Sequence, residues 1–329
     1  MRPLLALLPL LAFSLAHGAP NTESLPAGAV GIVSVDIATF RASKVGQAFE
    51  QASGGKAKQA EASRQLNEQL GVDSKKDLQE IVIAIYPGAD GKVAEKNASG
   101  VVLLRGKFLP ARINSFGQTN RLPSKPAGRF QAWEAGPFIE KISGEKTKDN
   151  AKDAYVVAHS ESLVIVAGAE FLDQALTAAD RHEQAALLPP TVAAKFAAAR
   201  SGWLFLYADT TKMKGAQQEL GVESLSLVLG ENATDLQLAA VANFAGADKA
   251  SQMRKQLTGL QAMATIGLLN QEGKSPEEQE NLALLSELVQ KIRLGGADQA
   301  VTLDVDLAAE KAAKALTKAL EKSRSAGGK

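Results

Sequence analysis

Twice in this chain a glycine separates a helix-forming stretch from an apolar, strand-like run. Residues 69–86 read QLGVDSKKDLQEIVIAIY, and residues 219–229 read ELGVESLSLVL. Only glycine takes the left-handed conformation that closes a helix without a steric cost at Cβ. Leu70 and Leu220 would then anchor the helix ends, Gly71 and Gly221 would turn the chain, and Asp73 and Glu223 would lie in solvated connections. The recurrence constrains the chain to two similar helix-to-strand transitions about half its length apart. It reads as a mark of scaffold rather than of a site.

The pattern on either side extends this reading. GIVSVDI at 31–37 alternates, with Val33, Val35 and Ile37 on one side and Ser34 and Asp36 on the other, as in a half-buried strand. Thr39 is placed to cap a helix over 40–52, and a polar helix over 58–70 leads into Gly71. Strands are expected at 78–86 and 100–108, joined through turn chemistry at 87–91, followed by a short helix at 111–116 behind Pro110. A strand at 129–134, a charged solvated loop at 141–153, a hairpin of 154–159 with 162–168 and a helix at 170–179 complete the first half. The second half restarts with a strand at 203–208, a short capped helix, strands at 225–229 and 236–244 and a helix at 248–268. Ser275-Pro276-Glu277-Glu278 is a capping box opening another helix. A strand at 300–307 and a helix at 308–322 close it.

VDIATFRASKVG matches YADTTKMKGAQQ in element order, and GVVLLRGKFLPARI matches LQLAAVANFAGADK. The expected fold is therefore α+β. It has two similar halves, each an antiparallel or mixed sheet with helices packed on one face, a ferredoxin-like type of duplication. Turns between consecutive strands are too short for parallel crossovers. The expected segments are a signal peptide at 1–18, α+β halves at 19–186 and 187–322, and a flexible tail at 323–329.

MRPLLALLPLLAFSLAHGAP has a basic residue, an apolar core and small residues before Gly18, the pattern of a cleaved secretory signal. Export to the periplasm or the medium is the expectation. With no cysteine, the chain has no disulfide, thiolate nucleophile or lipidated cysteine. Arg2 is one of 37 basic residues, and without it they balance the 36 acidic ones. That balance gives nucleic acid no electrostatic footprint. No later apolar run reaches membrane-spanning length.

The run from Val-Asp through Leu-Gly-Val-Asp to Ile81-Val82-Ile83, then Val-Val-Leu-Leu-Arg-Gly-Lys-Phe, resembles uncharacterised exported bacterial proteins of the domain-of-unknown-function type. The resemblance implies two α+β halves and assigns no activity.

Placed chemistry is sparse. His159 and His182 have no metal-ligand spacing, and no Gly-x-Ser-x-Gly elbow supports a serine nucleophile. Gly267 to Ser275 fails as a phosphate-binding loop on spacing and context. Asp304 and Asp306 share one strand face as solvated carboxylates, and Asp306 can also cap the helix that follows. Asp36 and Asp209 end the first strand of each half. They are the candidate binding pair, although an Asp at a strand end is first of all good capping or Asx-turn chemistry. Trp133 is a candidate groove residue. No catalytic residue, metal ligand or cofactor is assigned. The expected function is an exported, soluble, non-enzymatic binding or interaction protein, its partner an unknown protein or small ligand of the cell envelope. The alternatives are a carboxylate-dependent hydrolase and a small-ligand receptor with a cleft between the halves.

Overall fold

The computed structural model describes residues 24–52, 56–88, 99–144, 146, 153–181, 202–212, 221–269 and 276–327. The expected signal peptide, the join near 187, Leu220 and His182 lie outside them. The chain divides into two units, Met1–Ala42 with Gly55–Trp203, and Ser43–Gly54 with Leu204–Lys329. The fold is α+β with antiparallel strand pairing.

In the first unit the sheet order is β1 (Gly31–Asp36), β2 (Leu78–Tyr86), β3 (Ser99–Gly106), β7 (Leu163–Gly168), β6 (Ala154–Ser160), β5 (Phe130–Glu134), β4 (Ser124–Ala127). The alternation of apolar side chains gives this sheet two faces. Register sets one row across the strands as Ile83, Val102, Val166 and Val156, and the next as Ile81, Leu104, Val164 and Ala158. Over these rows lie α3 (Lys56–Leu70), α4 (Pro110–Thr119) and α5 (Ala135–Ser143), and together they form one apolar cluster. The opposite face is buried as well. Val82, Ala84 and Tyr86 are each at most 1 % exposed. Tyr86 stacks on Phe171, whose ring centroid is 4.4 Å away, just before α6 (Leu172–Asp180). Helical cover is thus not confined to one face.

The second unit orders its strands β11 (Arg293–Gly295), β12 (Ala300–Ala308), β10 (Asp235–Phe244), β9 (Val222–Glu231), β8 (Gly202–Asp209). Its helices are α7 (Ala247–Leu269), α8 (Pro276–Lys291) and α9 (Ala309–Gly327), with a 3-10 turn at Thr210–Lys212. Counted from the first strand, both units read first, second, third, last, penultimate. The first unit adds the β4–β5 hairpin at its far edge. This shared connectivity is what a duplication hypothesis rests on.

One segment departs from the expected halves. The helix foreseen at 40–52 breaks at Ser43 into α1 (Ile37–Ala42) and α2 (Lys44–Ala52). α2 belongs to the second unit and packs on α9. Its free N-terminal amides are capped from afar: Lys44 and Val45 N–H donate to the Glu231 carboxylate at 2.7 and 3.2 Å. Two further readings change. The expected charged loop begins as helix, because α5 runs through Ser143 and ends on Gly144 at φ 69°. Pro137 did not prevent it, since the first helical turn needs no N–H from its residues. β4 went unforeseen because it contains Pro126, which an edge strand tolerates.

Candidate functional site

Between the sheet rows and the helices α3, α4 and α5 of the first unit is a cavity of about 150 Å³. Its floor is the middle of the sheet, including Ile83, Leu104 and Val166. Its roof includes Leu66 of α3, Ile113 of α4 and Ile139 of α5. Every lining side chain is apolar except Ser74 and Ser143. Ile83, Leu104 and Val166 are mid-strand residues, yet they are only partly buried. A close-packed interior would cover them fully. At ~24 cal/mol per Å³, an empty void of this size corresponds to roughly 3–4 kcal/mol of forgone stability.

The elements that hold the cavity are fixed locally. Gly71 ends α3 at φ 69°, its N–H donating to Asn67 O at 2.9 Å as in a left-handed cap, and the Val72 N–H reaches Leu66 O at 3.4 Å. Pro110 opens α4 at its first turn. α4 then approaches β5 closely at Gly117, where an added Cβ would stand 2.5 Å from the Trp133 indole. The Phe116 and Phe138 rings meet edge-on at 5.1 Å and tie α4 to α5.

The residues singled out from the sequence lie elsewhere. Trp133 is a core residue, 4 % exposed, with its indole N–H donating to Asn114 Oδ1 at 3.0 Å. It does not line the cavity. Asp36 accepts bonds from Ala38 N–H, Thr39 N–H and Thr39 Oγ1–H at 2.9–3.0 Å, so it is Asp36, not Thr39, that caps the first helix. Asp209, in the second unit, accepts from Thr211 N–H at 3.0 Å and from its hydroxyl at 2.5 Å. Its charge adds to burial in pushing the Tyr207 phenol up. Each carboxylate is therefore committed to its own turn. His159 Nε2 bonds Asp180 at 2.9 Å and its ring lies against Phe130. Asp306 does not cap α9. It pairs with Arg293 at 2.7 Å, which holds its carboxyl below the usual range, and it accepts from Gln237. Among the described residues no cluster of acidic and histidine side chains is arranged to hold a metal ion, and no titratable side chain lines the cavity.

Sequence reasoning missed the cavity residues because they resemble ordinary core. The available signal was the pair Phe138 and Ile142, four apart within α5, which marks a helix face where a loop was expected.

No family model matches the chain, and no curated protein matches it. Among solved structures it is similar to TP0453. For crystal form III the TM-score is 0.47 at 10 % identity, covering 91 % of this chain and 98 % of that one. For crystal form IV the values are 0.46, 11 %, 91 % and 96 %. For crystal form I they are 0.41, 12 %, 92 % and 98 %.

Proposed function

We propose that this is an exported, non-enzymatic binding protein of the cell envelope whose first unit holds an apolar ligand beneath α3, α4 and α5. The observation that carries the reading is the incomplete burial of Ile83, Leu104 and Val166 around a void in the middle of the sheet. Apolar voids of this size stay dry and accept ligands on the scale of benzene. A ligand that fills the space regains the contacts that the lining side chains lack. The lining offers no general acid or base that could activate the hydroxyls of Ser74 and Ser143, so the chemistry it favours is binding.

The test is thermal unfolding of the mature chain with benzene or 1-hexanol. A ligand that binds only the folded state adds about 2.7 kcal/mol at a hundred times its Kd. That corresponds to a rise in Tm of several degrees, at ~2–4 °C per kcal/mol. The filled variant Val166→Phe should keep its circular dichroism and lose the shift. If neither compound moves the wild-type transition, the reading is wrong.

A further inference from the structure

The same three helices carry a second concavity on the first unit. A recess of about 510 Å³ is lined by Gln69, Arg112, Ser115, Thr119, Asn120 and Lys141, with Phe116 as its apolar wall. It holds two cationic side chains and no carboxylate. Among the described residues neither Arg112 nor Lys141 has an ion-pair partner. Gln69 Oε1 is buried with no hydrogen-bond donor.

The recess and the cavity share their walls residue by residue. Gln69 lines the recess and Leu70 the cavity; Arg112 and Ile113 divide the same way, as do Lys141 and Ile142. Successive helical residues point about 100° apart, so each helix shows one side to each space. The ring pair spans the division, with Phe116 on the recess and Phe138 on the cavity. Arg112 stands against the wall itself. Its Nη2 donates to Glu68 O at 3.0 Å, and its Nη1 lies 2.6 Å from where a Cβ on Gly71 would be. Gly71 sits between Leu70 and Val72, both of which line the cavity. The missing Cβ is what lets the guanidinium lie there.

Building on the apolar-ligand reading, we infer that the ligand is an amphipathic anion. Its hydrocarbon part, about six carbons by analogy with benzene in a void of this size, fills the cavity. Its carboxylate or similar anionic group meets Arg112 and Lys141. A planar carboxylate matches the guanidinium fork with two charge-assisted hydrogen bonds. The recess thus selects by charge, and the cavity by the volume of the tail.

Isothermal titration of the mature protein with 1-hexanol and with hexanoate at low salt separates the two claims. Hexanoate should bind at least tenfold more tightly than 1-hexanol, and salt should erode that preference. Affinity should rise about fourfold per added CH₂ from butanoate to hexanoate. Arg112→Gln with Lys141→Gln should remove the preference and leave 1-hexanol binding unchanged. Lys141→Gln alone, at an exposed position, keeps the test available if the double variant does not fold. Binding of 1-hexanol with no preference for hexanoate overturns this inference while the apolar-ligand reading stands. Binding of neither overturns both.

Discussion

The two units run their strands in the same order and cover them differently. In the first, residues 37–77 separate β1 from β2 and contribute α3 to the layer above the sheet. In the second, only residues 210–221 separate β8 from β9. The first unit gains a roof of three helices and a large apolar cluster with a void inside it. In the second, the corresponding cluster centres on Phe244, Ala250 and Val301, with Met253 and Leu257 against it. The outer turns of α7 leave Leu260, Met263 and Ile266 at 60, 70 and 61 % exposure. In the first unit, this connectivity carries a cavity beneath the additional helix α3.

Within that contrast one detail is shared. Gly71 lies under Arg112, the third residue of α4. Gly221 lies under Lys249, the third residue of α7. Both glycines have positive φ, 69° and 66°. A Cβ on Gly221 would stand 2.6 Å from Lys249 Cδ. The equivalence is offset by one residue from the match of GVVLLRGKFLPARI to LQLAAVANFAGADK, which aligns Phe108 with Phe244 but Arg112 with Asp248.

The largest expected effect comes from removing one aromatic anchor from each cluster. Phe138→Ala and Phe244→Ala should each cost about 3–5 kcal/mol in denaturant unfolding. Only Phe138→Ala, which enlarges the void it lines, should also change 1-hexanol affinity. A change in both would break the assignment of the ligand to the first unit. Next, Gly71→Ala and Gly221→Ala each force a side chain into the left-handed region, at about 1–2 kcal/mol. The first should also weaken hexanoate relative to 1-hexanol by displacing Arg112, and the second should leave that ratio alone.

A smaller effect concerns acid. The hydrogen bond from Arg293 leads the causes that hold the Asp306 carboxyl below its usual value. A depressed carboxylate stabilises the folded state above the unfolded value, near pH ~4, and loses that contribution as pH falls through the folded one. Arg293→Ala should therefore cost no more than about 1 kcal/mol at pH 7. It should also flatten the acid limb of the stability profile below pH ~4. An unchanged limb would remove the ion pair from the account. The smallest effect is at Met263→Ser, which should change stability by less than about 0.5 kcal/mol because the side chain has little to lose.

Much of this scaffold could be read from residue order. The alternation in GIVSVDI, the apolar centre of 78–86 and the glycine stop at Gly71 placed β1, β2 and the end of α3. Where reading failed, long-range contacts decided. No local pattern indicates that α2 would be capped by Glu231 and join the second unit. Pro126 and Pro137 argued locally against the elements that tertiary pairing imposes on them. The candidate site was less legible. Asp36, Asp209 and Trp133 drew notice as polar or aromatic residues at strand ends, and each is occupied with local structure. A void is made by what neighbouring residues leave unfilled, and Ile83 or Val166 carries no mark of that in its own identity.

The central claim is that the space above Ile83, Leu104 and Val166 is a ligand cavity. Xenon binding to the mature chain tests it most directly, followed by crystallography under xenon pressure with Val166→Phe as the filled control. The account predicts xenon density bounded by those three side chains and by Leu66, Ile113 and Ile139, and none in the filled variant. A wild-type crystal under the same pressure with no density there, its helices closed onto the sheet, would contradict it.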